Sequence, residues 1–247
     1  MLLCFCMIII ALVLSLIFGA LGFIVTENNA KYILSGYNTM SEQERQQFDI
    51  VSYVRLLKQF HLLLAATLFG GVCLLSLVNN NWASLFMTVY PLAAYLYFLI
   101  RSAKYNQGKS GQKAGAYMAG GVLVVVIAVL LVSSLTDYKS SELSLGPEML
   151  EIEGSFGLTL DKSEIREQKV VDELPPISYK SNGFAAGDYA KGRFKTSDGN
   201  SIWLFVNKKA SHFLLIRSSK GDIYYSHDEM DMQQLSRDID QWLAREL

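Results

Sequence analysis

The side chains best suited to chemistry in this 247-residue sequence are three histidines, three cysteines and one alternating run of bases. His227, Asp228, Glu229 and Asp231 lie close enough in sequence to hold a cation, but acids at the start of a helix are also drawn there by its dipole. Cys4 and Cys6 form a Cys-x-Cys pair with no histidine or acid nearby, short of the four ligands a zinc site gathers. With Cys73 they sit inside apolar runs, where cysteine behaves as a small packing residue. His61 is the lone titratable side chain near an apolar segment, and its spacing from Lys58 places it at a headgroup level. His212 falls in an alternating segment and His227 beside a helix start, positions that suit surface and capping roles. No nucleophile elbow, phosphate loop or zinc-protease spacing occurs. The expectation is therefore a protein that is not an enzyme, with no catalytic residue, cofactor or metal.

Lys191, Arg193 and Lys195 alternate, so on a strand they share one face and form a candidate anion patch. The surrounding charge opposes that use. Residues 137–247 hold 19 of the 23 acids but 14 of the 22 bases, a net charge of −5. Such a balance repels anionic headgroups at long range and argues against phosphoinositides and nucleic acid as ligands.

The elements that must position these groups are of two kinds. Four uncharged stretches, Leu2–Val25, Phe60–Val78, Trp82–Ile100 and Ala114–Leu135, match the roughly 20 apolar residues a helix needs to cross a bilayer. The first lacks a basic leader and exceeds the ~7–15 apolar residues of a signal peptide, so it reads as a retained span. Asn79, Asn80 and Asn81 leave room only for a tight hairpin between spans two and three, with Trp82 as an interface anchor. Span four opens with small residues one turn apart, Gly115/Ala119 and Ala116/Gly120, which let helices approach closely. Gly19, Gly22, Gly70 and Gly71 are candidates to receive it. No Asp, Glu, Lys or Arg lies inside a span, which argues against an ion-coupled transporter.

Bases give the direction. The connections 26–59 and 101–113 carry four Lys or Arg each, whereas the N-terminus and the Asn turn carry none. By the positive-inside rule those connections are cytoplasmic, and everything from Thr136 onward is extracytoplasmic. The expected division is a transmembrane domain over 1–136 and a soluble domain over 137–247.

The first connection holds more pattern than a linker requires. Ser41 and Glu44 have capping-box spacing, predicting a helix from Glu42. Ile50, Tyr53, Val54, Leu57 and Phe60 repeat at helical intervals, and Gly36-Tyr37-Asn38 has turn residues. The string NAKYILSGYNTMSEQERQQFD, through Lys31, Gly36, Tyr37, Asn38, Thr39, Met40 and Ser41, resembles the signature loop of a bacterial membrane family of unknown function. The resemblance covers about residues 5–101. It implies a bacterial cytoplasmic membrane protein and no activity, with Gly36, Tyr37, Asn38, Thr39 and Met40 either a contact site or a turn leading into a cap.

From Gly146 the period changes to two, the mark of strands. Met149 to Ile152, Ile165–Val171, Tyr189–Thr196, Ser201–Asn207, His212–Ser218 and Asp222–Ser226 read as strands, the last four joined as consecutive antiparallel hairpins. Ser226 and Glu229 repeat the capping-box spacing before a helix with Met232, Leu235, Ile239, Trp242 and Leu243 on one face. The fold class expected is an α-helical membrane bundle of four spans plus a C-terminal α+β domain, a curved antiparallel sheet closed by one helix. Asn182-Gly183-Phe184, Gly187–Tyr189, Gly192-Arg193-Phe194 and the hairpin SDGNSIWLFV are similar to small bacterial pleckstrin-homology-like domains, over about 142–247. That resemblance implies an interaction module. The functional expectation is a non-enzymatic scaffold or sensor whose partners are the lipid bilayer and a protein. An auxiliary subunit of a transporter or envelope-assembly system is the alternative, and a membrane enzyme acting on lipid or peptide lacks its residues.

Overall fold

A computed structural model describes residues 2–105 and 110–244, with side chains at all of these except 2–5, 35, 104, 110–114 and 116. The chain forms two compact units, Met1–Val132 and Ser133–Leu247.

The first unit contains α1 (Leu2–Ile24), three short helices α2 (Ala30–Ile33), α3 (Ser35–Asn38) and α4 (Glu42–Gln47), then α5 (Ile50–Val78), α6 (Asn80–Ser102) and most of α7 (Ser110–Asp137). Four of these helices are long and apolar enough to cross a membrane. Their sides remain strongly apolar outward: Leu16, Phe23, Leu63, Leu74, Leu77, Ile100, Val122 and Val132 are all more than half exposed. Water would penalise such a surface, whereas lipid does not.

Span two is longer than its uncharged run suggests. Asp49 accepts the Ser52 N–H at 3.0 Å and starts the helix at Ile50, ten residues before Phe60. The α5–α6 hairpin turns on one residue: the extended Asn79 accepts N–H groups from Asn81 and Trp82 at 2.8 and 3.2 Å. Of the glycines expected to receive span four, Gly19, Gly22 and Gly71 instead receive other helices, and Gly70 meets nothing within 4 Å. A Cβ on Gly22 would lie 3.2 Å from the His61 Cβ, one on Gly19 3.7 Å from the Ala65 Cβ, and one on Gly71 2.5 Å from the Phe86 ring. Thus α1 packs on α5 through its small residues, and α5 packs on α6. Gly115 and Gly121 face open space, Gly120 meets only Leu96, and no residue of α7 from Tyr117 to Asp137 is buried. The Ala116 and Cys4 readings fall outside the described side chains.

The second unit has β1 (Leu143–Leu145), β2 (Met149–Ile152) and β3 (Leu158–Asp161) in a small antiparallel sheet. A six-stranded sheet follows from β4 (Ile165–Val171), β5 (Ile177–Ala186), β6 (Tyr189–Thr196), β7 (Ser201–Asn207), β8 (Phe213–Ser218) and β9 (Gly221–Tyr225), in the order β4-β8-β9-β7-β6-β5. The final helix is α8 (Met232–Ala244). Beyond the strands expected, β1, β3 and β5 appear.

The consecutive-hairpin expectation fails at one joint. β9 inserts between β7 and β8, parallel to β7 and antiparallel to β8, so the link Lys208–His212 passes over a strand position. Pairing is chosen by burial across the whole sheet, which a short basic turn does not override. β4 and β5 lie at opposite edges yet are joined by only Asp172–Pro176. Laid flat, six strands at ~4.8 Å spacing would separate those edges by ~24 Å, beyond the ~20 Å that six extended steps span. The sheet must curve, and it does so without closing into a barrel.

Both faces of this sheet are buried. Phe205, Leu214, Ile216, Ile223 and Tyr225 meet Leu150, Ile152 and Leu160 of the small sheet, together with Met232, Leu235, Ile239 and Trp242 of α8. The helix face therefore falls where its periodicity places it. On the other face Phe194, Ile202, Leu204, Phe213, Leu215 and Tyr224 cluster under Leu174 of the β4–β5 link. The glycine-aromatic signature acquires a physical reason here. Gly183 and Gly192 sit opposite each other at φ of +151° and +106°, so close that a Cβ on either would lie within 2.5 Å of the facing backbone.

Candidate functional site

In the connection after α1, the GYNTM segment is built into a folded knot. Gly36-Tyr37-Asn38 forms part of the one-turn helix α3, and no left-handed glycine is used at 36. The Tyr37 ring packs on Phe48 at 5.3 Å, and Phe48 on Tyr53 at 5.5 Å. The Thr39 hydroxyl donates to the Gly36 carbonyl at 3.3 Å, and Met40 is buried. The Arg45 guanidinium donates to the Asn38 carbonyl at 3.1 Å, capping α3 with a positive charge. The capping box forms as its spacing predicts: Ser41 Oγ accepts the Glu44 N–H at 3.4 Å while Glu44 Oε2 accepts the Ser41 N–H at 2.8 Å. Its helix ends at Gln47, and the Asp49 cap begins a new one. Asp49 is held below the usual carboxylate range by hydrogen bonds from the Ser52 side chain and backbone, and by Arg55. Of the segment, Gly36, Asn38 and Thr39 remain exposed.

His61 does not sit at a surface. It is 5 % exposed, between Gly22 of α1 and Tyr95 of α6. Nδ1 lies 2.8 Å from the Leu57 carbonyl, which can only accept, so Nδ1 carries a proton, and Nε2 shares a hydrogen bond with the Tyr95 hydroxyl at 2.9 Å. Both ring nitrogens are engaged in helix packing. Lys58, the base used to place it, instead covers the Phe23 ring at 4.3 Å.

The basic strand face is real in direction but committed in chemistry. Lys191 is 6 % exposed, and its Nζ donates to the Thr136 carbonyl at 2.7 Å, a cation on the last carbonyls of α7. Burial lowers its pKa, partly offset by Asp137 and Asp228. Arg193 stacks its guanidinium over Trp203 at 4.8 Å, and Lys195 donates to the Gly199 carbonyl of its own turn at 3.0 Å. A strand's period brings the three together; it says nothing of what already occupies them.

Around Lys191 lies a polar cluster that sequence reasoning missed. The Tyr189 hydroxyl donates to Asp228 Oδ2, and Asn207 Nδ2 donates to Asp228 Oδ1 at 2.7 Å. The Asp228 N–H donates to Ser140 Oγ at 3.0 Å, and the Tyr225 hydroxyl to the Ser141 carbonyl at 2.7 Å. Tyr138 stacks edge-on against Phe184 at 5.1 Å. These contacts fasten residues 136–141, the segment leaving the fourth span, to the starts and ends of β6, β7 and β9. Burial and the Asp228 carboxylate push the Tyr189 hydroxyl far above its ordinary pKa. Burial also pushes Asp228 up, but hydrogen bonds from Tyr189, Asn207 and Ser140, with His227 nearby, outweigh it and hold the carboxyl low. The pair thus stays as phenol and carboxylate at neutral pH, a fixed joint with no proton to exchange.

Ser226, His227 and His212 are placed by tertiary contacts that spacing does not give. Ser226 caps no helix; it is 1 % exposed and its Oγ accepts the Asn207 N–H at 2.8 Å. α8 starts five residues later than that box implies, with Asp231 Oδ1 accepting the Gln233 N–H at 2.8 Å. His227 lies 3.5 Å from Glu142, and its Nδ1 accepts the Glu229 N–H at 3.2 Å. His212 pairs with Asp172 at 2.8 Å on the surface. Among the described residues no group of three or more His, Cys, Asp or Glu comes together as metal ligands would. A signal for Tyr189 and Asp228 did exist, since a tyrosine opening a buried strand needs a partner for its hydroxyl. Which partner is a tertiary matter.

Comparison with known proteins adds one likeness. Residues 12–106 match the family described as Domain of unknown function (DUF3784). The stretch runs from α1 through α6 and includes the whole GYNTM connection. No curated protein and no solved structure matches the chain.

Proposed function

We propose that this chain is a non-enzymatic scaffold or sensor in a bacterial cytoplasmic membrane, presenting its C-terminal α+β domain to a protein partner. The observation carrying the proposal is the edge strand β5. It is ten residues long and ends the six-stranded sheet, with residues 177–182 all exposed. Ile177 and Tyr179 stand out at 38 and 58 % exposure. A long open edge offers unpaired backbone groups to an incoming strand, a recurring way for a sheet to recruit a peptide. The committed state of Lys191, Arg193 and Lys195 supports protein over anionic lipid as the partner. Charge on the two basic connections supports placing the domain outside the cytoplasm. The bacterial membrane assignment rests on the resemblance of the GYNTM loop, and the domain-of-unknown-function match over residues 12–106 is compatible with it.

Site-specific photo-crosslinking in native membranes tests the proposal, with the crosslinker placed at Tyr179 and, separately, at Thr39. Protein adducts from Tyr179 are expected. Adducts from Thr39 alone would overturn the reading in favour of a transporter or assembly subunit contacted through the GYNTM loop, and no adduct from either would sink both.

A further inference from the structure

Charge is laid out unevenly over the second unit, and the exception to its acidity follows an open edge. The β5–β6 ribbon, residues 177–196, holds Lys180, Lys191, Arg193 and Lys195 against one acid, Asp188. That acid is buried in the turn between the two strands, with Lys209 Nζ 2.9 Å from its Oδ2. The rest of residues 137–247 carries 10 bases against 18 acids. An open edge of the large sheet is thus the basic part of an otherwise acidic domain.

The bonds these bases make go to neutral groups, so they fix position without cancelling charge. Arg193 is exposed with its guanidinium on the Trp203 ring, and Lys195 is half-buried on the Gly199 carbonyl. Lys180 is exposed and makes no ion pair among the described residues. Lys191 differs, with Asp137 and Asp228 near it. The opposite edge differs too: Glu167 of β4 is taken by Arg217 at 2.8 Å and by Lys169 at 3.8 Å.

The pairing of β5 with β6 determines which side chains an incoming strand meets. Tyr179 stands opposite Lys195 and Asn182 opposite Arg193, so these four share one face. Ile177 and Lys180, opposite Thr196 and Phe194, share the other. Bulges at Ser178 and Ser181 allow this, since each adds one residue and re-aims the side chain after it. A strand laid along β5 at ~4.8 Å sets its own side chains beside Lys180 on one face and beside Tyr179 and Asn182 on the other. Arg193 and Lys195 lie one strand further, at roughly 10 Å, near one Debye length at about 0.1 M salt, and act as a field.

We infer that β5 takes an acidic extended segment of its protein partner as an added strand, with an acidic side chain beside Lys180 and an apolar one beside Tyr179. The inference rests on the edge-strand reading proposed above and adds the partner's chemistry to it. Backbone hydrogen bonds supply the attachment, and charge selects what attaches. The acidic remainder of the domain repels such a segment everywhere else, so the attractive field converges on β5. A second copy of β5 is a poor occupant, because two ribbons carrying Lys180, Arg193 and Lys195 would meet with like charges. Bulges also twist an edge away from pairing with another sheet, whereas a single strand can follow the twist. An anionic lipid surface has no backbone groups to satisfy the open ladder.

Fluorescence polarisation tests this on the full chain in nonionic detergent micelles, with a labelled, end-blocked heptapeptide of alternating valine and glutamate as the probe. A valine–lysine counterpart is the charge control, and the glutamate peptide N-methylated at every second amide is the backbone control. The glutamate peptide should bind about tenfold tighter than the lysine peptide, the difference between a favourable and an unfavourable cross-strand charge pair. N-methylation should remove its binding, and Lys180→Glu should abolish the preference while leaving the melting temperature unchanged. Equal binding of the two unmodified peptides would overturn the acidic inference and leave the edge-strand reading standing. Undiminished binding of the N-methylated peptide would overturn it in favour of plain anion attraction, and affinity that falls as the chain is concentrated would overturn it in favour of a second copy. No binding of any peptide, alongside protein adducts from Tyr179 in native membranes, would reject the acidic strand and keep the edge as a contact. No binding and no adducts would reject both.

Discussion

Replacing Gly192 with alanine isolates the close approach of β5 and β6 in the second unit. Gly192 has φ +106°, and a Cβ there would lie 2.5 Å from the Asn182 carbonyl oxygen and 2.8 Å from the Gly183 Cα. The dihedral strain alone costs about 1–3 kcal/mol in a non-glycine residue. The contact cannot be relieved by a side-chain rotation, because both opposing atoms are backbone. β5 and β6 must part locally, and losing one ladder hydrogen bond adds about 1 kcal/mol. The sum is roughly 3 kcal/mol, about a hundredfold in a local opening equilibrium. Gly199 supplies the control, having φ +88° with nothing within 4 Å of its would-be Cβ, so its alanine variant carries strain without collision. Amide hydrogen exchange on the full chain in detergent reads the effect strand by strand. Protection in β5 and β6 should fall about a hundredfold in Gly192→Ala, and by about thirtyfold or less in Gly199→Ala, which keeps about 2 kcal/mol of strain but loses no ladder bond. Equal losses in the two variants would refute the close-approach argument, and wild-type protection in Gly192→Ala would refute the strand pairing itself.

Two further perturbations follow from the local chemistry. Ser41→Ala removes the hydroxyl half of the capping box on the six-residue α4 and should cost about 1 kcal/mol of local stability, seen as faster proteolytic cutting in 42–47 than in wild type. The folded-state pKa of Asp228 is below its ordinary 3.8, so its carboxylate contributes stability above that value and loses it as pH falls through the folded pKa. Acid titration of unfolding should therefore show a destabilising slope below about pH 4 that flattens in Asp228→Asn. An unchanged slope would mean that the Tyr189, Asn207 and Ser140 bonds add nothing to the folded state.

What the sequence made legible is what depends on short-range pattern. The four apolar helices follow from uncharged runs longer than any soluble helix needs, the Ser41 box from a four-residue spacing, and the buried face of α8 from its 3.6 period. Patterns stop at contacts between distant residues. β5 is hidden because it is an exposed edge strand following two prolines, with little alternation to mark it. The insertion of β9 beside β7 is non-local pairing, and a KKA turn looks the same whether its strands are neighbours or not. Lys191 reads as a surface base by type and period, and only the fold brings the Thr136 carbonyl to it. The spacing of His61 from Lys58 says nothing of its burial, because its partner Tyr95 is 34 residues away.

The claim on which the proposed function rests is that the C-terminal domain and the GYNTM connection lie on opposite sides of a membrane. Single cysteines at Glu229 and at Glu42, both exposed, can be placed in a cysteine-free background by replacing Cys4, Cys6 and Cys73, and treated with a membrane-impermeant maleimide in cells with a permeable outer layer and an intact cytoplasmic membrane. The account predicts labelling at 229 before lysis and at 42 only after it. Labelling of both positions before lysis, or of 42 alone, would contradict it.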